Sequence, residues 1–156
     1  MRTTCFASGS QSLFQAVLRL AFCFPQSLIS LILMTVKPRI YATICPSADI
    51  AELGKFPFTV MHRGEEREAI LIRFQGMVYG YLNQCVHMPK ALDCEDGNIF
   101  DDTKRYLQCS MHSICYDPVS GVSLSEICAG KKLTAIKVRE EDGQIYLMDK
   151  RAELIS

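Results

Sequence analysis

Val78-Tyr79-Gly80-Tyr81-Leu82-Asn83-Gln84-Cys85-Val86-His87 is the stretch whose reading decides the fold: a β-rich run that delivers a cysteine and, two residues later, a histidine. A second segment, Cys109-Ser110-Met111-His112, repeats the pairing with one more residue between the two. The chain has only three histidines, His62, His87 and His112, so two of them closely follow a cysteine. Singly, each pair means little, because buried cysteine commonly serves as a small hydrophobe. Together they supply two thiolates and two imidazoles from two loops, which is a metal-ligating set.

Zinc is one chemistry for such a set, in a tetrahedral structural site, but zinc-finger spacing normally pairs Cys with Cys and His with His. Here each loop contributes a mixed pair, which suits a binuclear cluster gripped from two sides. The arrangement resembles the Rieske iron-sulfur family, in which two histidines serve one iron of a 2Fe-2S centre and two cysteines the other. The resemblance covers about residues 40–149 and extends to the run from Val78 to Asn83 and to Tyr116-Asp117-Pro118 with Ser120-Gly121. It implies one 2Fe-2S cluster held by Cys85, His87, Cys109 and His112. It also implies an antiparallel, Rieske-like β sandwich or barrel with a small cluster-binding subdomain. The 21 residues between His87 and Cys109 then separate two loops that clasp the cluster.

The ligand set has an electrostatic consequence of its own. An oxidised 2Fe-2S core formally carries two positive charges, which two thiolates cancel, whereas four would leave a negative site. Adding an electron to the neutral site is easier, so its potential lies above that of an all-cysteine ferredoxin.

A chain of 156 residues with 49% apolar composition buries one ordinary core. Formal net charge is zero, so no nucleic-acid partner or anionic membrane is indicated. Eight cysteines would suggest a disulfide framework in a secreted mini-domain, but that reading leaves the paired histidines without an account. The cysteines other than Cys85 and Cys109 are irregularly spaced and read as free thiols of a reducing, cytoplasmic compartment. Cys94 and Cys115, near the two loops, leave a bridge between them open.

The first 48 residues hold no Asp or Glu, while the remaining 108 hold all 17. Within the acid-free stretch, residues 20–36 are uncharged but carry Pro25, Gln26, Ser27 and Ser30, a marginal match to a membrane span of about 20 residues. Residues 1–34 are therefore set apart as an N-terminal extension: a misassigned start, a targeting segment or an anchor. The favoured reading starts the functional chain near Met34, with the domain over 35–156.

Beyond residue 40 the pattern is short strands and turns. Strands are predicted at 40–44, 56–61, 68–74, 78–83, 106–108, 133–139 and 144–148. Turn signals stand at Arg63-Gly64, Gln75-Gly76, Asp96-Gly97, Ser120-Gly121 and Asp142-Gly143, the last a strong hairpin signal. A short helical turn is expected over 48–53, capped by Ser47 and ended by Gly54. No helical period long enough for a βαβ unit occurs, so the fold class is all-β.

Departures from the family's respiratory, high-potential branch refine the resemblance. That branch carries an extra cysteine in each ligand loop, bridged to one another, at positions that are Lys90 and Met111 here. Its serine donor to a bridging sulfide corresponds to Ile114, whereas Tyr116 matches the aromatic position whose hydroxyl can reach a cysteine ligand. Tyr116 also reads as an ordinary core tyrosine. Ser113 stands where many members have glycine, and 125–130 replaces a Gly-Pro-rich stretch, so the fine geometry of the loops departs from the pattern.

The resemblance thus implies a small, monomeric Rieske-type ferredoxin, a one-electron carrier with no catalytic residues of its own, serving a reductase or an oxygenase. With His87 and His112 committed, only His62 remains, too few for the two-His-one-carboxylate iron of an oxygenase subunit. The alternatives are a membrane-anchored subunit of a respiratory complex, with 13–34 as anchor, and an iron-sulfur redox sensor. The acidic run Asp93, Glu95, Asp96, Asp101 and Asp102 reads either as a solvated loop or as a docking site for a basic redox partner.

Overall fold

Four consecutive apolar residues, Ala69-Ile70-Leu71-Ile72, are what a strand needs when both of its faces are covered. The computed structural model describes residues 41–155 and buries all four completely. The N-terminal extension at 1–34 and the start near Met34 lie outside the described residues. The strands are β1 (Ala42–Pro46), β2 (Lys55–His62), β3 (Glu65–Phe74), β4 (Met77–Leu82), β5 (Leu107–Cys109), β6 (Ile114–Tyr116), β7 (Ala135–Ile136), β8 (Val138–Glu141), β9 (Gln144–Leu147) and β10 (Ala152–Leu154). They form antiparallel sheets of order β10-β2-β3-β4-β7, β1-β9-β8 and β5-β6. Helix is confined, among the described residues, to two 3-10 turns, Ser47–Asp49 and Glu126–Cys128. None of their helices is long and apolar enough to cross a membrane.

Side chains alternate across a strand, so β3 serves two cores. Ala69 and Leu71 face residues of the three-stranded sheet and its neighbours, including Cys45, Ile145 and Leu147. Ile70 and Ile72 face the other way, into a cluster with Tyr81, Cys85, Leu92, Leu107, Cys109, Ile114 and Tyr116. The five-stranded sheet is therefore a wall shared by a β sandwich and by the subdomain that carries both Cys/His segments. Arg73 ties the sandwich together at one edge, donating to the carbonyls of Ile50 and Ser47 and pairing with Glu140.

Three two-residue turns pin the register. In Arg63-Gly64, Gln75-Gly76 and Asp142-Gly143 both residues have positive φ, at 55° and 85°, 52° and 74°, and 50° and 72°. That is the type I′ geometry whose twist matches the flanking strands. At Gly80 a glycine is required for a different reason: a Cβ there would lie 2.7 Å from the Ile136 carbonyl oxygen and push β7 off β4.

The differences from the sequence reading are local. The strand predicted at 133–139 is two strands in two sheets, β7 on β4 and β8 on β9. Ile136 is buried, Lys137 exposed and Val138 half-buried, so the period of two runs through the corner and conceals it. β3 begins at Glu65, earlier than apolarity suggests, because the Arg63-Gly64 turn aligns Glu65 with His62. β6 and β10 escaped the sequence reading, being three residues each and adjoining a ligand loop and the chain's end. The helical turn is Ser47–Asp49, without a side-chain cap, since the Ser47 hydroxyl bonds Arg73 and Glu140. Leu53, at φ 60°, makes the turn assigned to Gly54.

Leu71→Ala, which empties a fully buried site, should cost about 2–5 kcal/mol of unfolding free energy. Met77→Ala on the same sheet, 60% exposed, should stay within about 0.5 kcal/mol of wild type. Urea denaturation of both variants checks the contrast.

Candidate metal centre

Each ligand segment begins where a strand ends. β4 leads through Asn83 and Gln84 into Cys85, and Cys109 closes β5. The Cys85 N–H donates to the Lys90 carbonyl at 2.8 Å, folding the first loop on itself. The Ser113 N–H donates to the Cys109 carbonyl at 2.9 Å and does the same for the second. Ser113 takes a φ of 52°, a left-handed conformation that accounts for glycine being the easier residue there.

The four predicted residues come together as two like pairs. Cys85 and Cys109 are buried, and their thiols lie within hydrogen-bonding reach of one another. The His87 and His112 rings meet edge to face with centroids 5.0 Å apart. His87 Nδ1 is buried and has no hydrogen-bond partner, an unusual state for a ring nitrogen unless a ligand takes it. His112 is exposed, so the imidazole side faces solvent while the thiol side is packed into the core. Among the described residues, no three His, Cys, Asp or Glu side chains converge as a single ion's cage would require. Thiol next to thiol and imidazole next to imidazole is the like-paired arrangement that a binuclear centre with two sulfur and two nitrogen ligands uses.

The two loops present the same pattern of backbone donors to their sulfurs, and Cys85 has a side-chain donor besides. Burial pushes the Cys85 thiol up, but the Tyr116 hydroxyl, the N–H groups of His87 and Met88 and the Cys109 thiol outweigh it, leaving its pKa below the ordinary value. Cys109 is pushed up, first by burial and then by Cys85, against the opposing N–H groups of Met111 and His112. Two neighbouring buried thiols do not both ionise readily without positive charge nearby. A cationic metal centre held by both thiols would remove that conflict, and the donor set therefore fits an iron-sulfur cluster.

Tyr116 meets both expectations held for it. It is fully buried in the subdomain core, and its hydroxyl lies 3.1 Å from Cys85 Sγ while accepting the Val86 N–H at 3.3 Å. Burial and the neighbouring Cys85 raise its pKa, so it stays a protonated donor. Ile114, in the place of the family's serine, packs in the same core and offers no hydroxyl. Cys94 and Cys115 are free thiols with separate partners, Ser110 for the first and Gln108 for the second.

The acidic run is largely taken up by its own loop. Asp101 is buried and accepts the N–H groups of Arg105 and Tyr106 at 3.0 and 2.9 Å, and Asp96 accepts that of Asn98 at 2.9 Å. Asp93 turns inward to Lys55 and Asn83. The sequence reading missed the role of Lys55, which stands 38 residues from Asp93, and that of Asn83, which it took only as part of the run entering the first loop.

No curated protein matches the chain. Among solved structures it resembles the ferredoxin of carbazole 1,9a-dioxygenase from Nocardioides aromaticivorans IC177, with 18% identity and a TM-score of 0.55, covering 70% of this chain and 98% of that one. It also resembles the terminal oxygenase of carbazole 1,9a-dioxygenase from Novosphingobium sp. KA1, with 23% identity and a TM-score of 0.57, covering 69% of this chain. The match spans only 29% of that oxygenase chain. A carbazole-bound complex of oxygenase and ferredoxin from carbazole 1,9a-dioxygenase matches at 20% identity and a TM-score of 0.57, over 69% of this chain and 27% of that one. At these identities the likeness establishes the fold. The family model for the Rieske [2Fe-2S] domain matches residues 41–138, and the chain belongs to that family.

Proposed function

We propose that the domain over 35–156 is a Rieske-type ferredoxin that carries single electrons between redox proteins and transforms no substrate itself. Cys85 and Cys109 would ligate one iron of a single 2Fe-2S cluster, and His87 and His112 the other. The observation that carries this reading is the segregation of the four side chains, two adjoining buried thiols backed by two imidazoles, one with an orphaned buried nitrogen. When bound, such a cluster supplies a one-electron couple. The chain's own residues set its conditions: the N–H groups after each cysteine and the Tyr116 hydroxyl neutralise charge on the sulfurs, and exposed His112 opens the site to a partner.

The partner proposed is an oxygenase, a reductase or both. Support comes from the fold shared with a dioxygenase ferredoxin over nearly all of that ferredoxin's length. Lys90 and Met111, at the positions of the respiratory branch's bridging cysteines, speak against the respiratory alternative. The six cysteines of the described residues are all free, which suits the proposed cytoplasmic setting.

Purified aerobically, the protein should be coloured and carry two irons and two labile sulfides, with EPR of the reduced state showing imidazole coordination of one iron. His87→Ala and His112→Ala should each abolish or grossly destabilise the cluster. Stoichiometric zinc with no visible absorbance, from iron-replete cells, would sink the reading.

The potential should fall in the lower part of the Rieske span, which runs from roughly −150 to +300 mV. Hydrogen bonds to sulfur favour the more negative, reduced state, and this site has Tyr116 as a donor but lacks one at Ile114. Protein-film voltammetry should find Tyr116→Phe shifted downward and Ile114→Ser shifted upward.

A further inference from the structure

Asn83 is the residue at which β4 becomes the first Cys/His loop, and its side chain is bonded at both ends. Its Oδ1 accepts the Leu92 N–H at 3.0 Å, and its Nδ2 donates to Asp93 Oδ1 at 2.9 Å. Its own N–H is anchored on β3, donating to the Glu68 carbonyl at 2.9 Å. Residues 84–91, which hold Cys85 and His87, are therefore closed at their base by one amide side chain. Asp93 is held from its other side by an ion pair with Lys55, at the start of β2. Both members of that pair are largely shielded, with side-chain exposures of 28% for Lys55 and 17% for Asp93.

The same base meets the second loop. Leu92 is fully buried, and its carbonyl accepts the Ser110 N–H at 2.7 Å, one residue beyond Cys109. Leu92 thus receives its N–H partner from the entry of loop one and gives its carbonyl to loop two. A continuous polar path runs from the five-stranded sheet through Lys55, Asp93, Asn83 and Leu92 to Ser110. Burial opposes ionisation of Asp93, but the bonds from Lys55 and Asn83 outweigh it and keep the carboxyl below its usual range.

We infer that Asn83, Asp93 and Lys55 form a clamp that fixes the first ligand loop at its base and sets its separation from the second. They are positioning residues, acting on the metal centre through the backbone of Leu92 and Ser110 without touching the ligands. The inference rests on the proposed cluster site and adds to it a supporting shell drawn from the sandwich side of the molecule. Losing outer partners of metal ligands typically weakens a site by roughly ten- to a hundredfold.

The test uses the full-length protein with Asn83→Ala, Lys55→Met and Lys55→Arg. Iron release to a chelator should be roughly ten- to a hundredfold faster for Asn83→Ala than for wild type. Lys55→Met should move the same way by less, and Lys55→Arg should restore the wild-type rate, because it returns the charge to Asp93. The EPR g-values of reduced Asn83→Ala should shift as its ligand geometry relaxes. Hydrogen exchange on the metal-free proteins should speed up at the amides of Cys85, Leu92 and Ser110 while residues 69–72 stay protected. Release and exchange indistinguishable from wild type in Asn83→Ala would overturn the clamp, as would exchange that rises equally over 69–72, the mark of plain destabilisation. A wild-type protein that binds no iron-sulfur cluster would instead defeat the proposed function, leaving the exchange comparison to decide the clamp.

Discussion

Everything in this fold leans on the two-sided burial of β3. The hairpin of β5 and β6 has three residues in each strand, too few to hold together alone in water. It gains its support from Ile70 and Ile72 on β3 and Tyr81 on β4, which lie beneath it. The opposite side chains of the same strand, Ala69 and Leu71, close the sandwich. A slip of one residue would exchange the two sets and leave neither core complete, which is why the tight turns on both sides of β3 matter. The two Cys/His loops inherit their support from a register set elsewhere.

The candidate centre is asymmetric, and the asymmetry has a physical basis. Sulfur ligands tolerate an apolar core provided that donors balance their charge, and Cys85 and Cys109 each have N–H groups from the two residues lying two and three positions further on. An imidazole ligand is neutral and needs no such counterweight, so His112 can stand in solvent. Tyr116 links the two demands: its ring fills the core between the loops, and its hydroxyl adds a donor from the thiol side. Tyr81 does comparable work lower down, donating to the carbonyls of Pro118 and Val119 while Gly121 leaves room for its ring. A Cβ at Gly121 would come within 2.8 Å of that ring.

What the sequence by itself determined is the chemistry and the class of fold. The candidate ligand set is local, carried by Cys85, His87, Cys109 and His112, and the type I′ turns are written in pairs of adjacent residues. Short apolar runs bounded by turn signals likewise mark β2, β4 and β9 without reference to the rest of the chain. The tertiary structure alone decided where those strands go and what supports the loops. The corner at Lys137 is invisible because alternation continues through it, and Tyr116 could be read equally as packing or as a donor until Cys85 was set beside it. Nothing in the sequence links Asn83, Asp93 and Lys55 to one another; their partnership exists only because β2 and the first Cys/His loop are brought together in space. Local geometry can be read along the chain, but a hydrogen bond between residues far apart in sequence has no local cause, and only the packed fold brings it about.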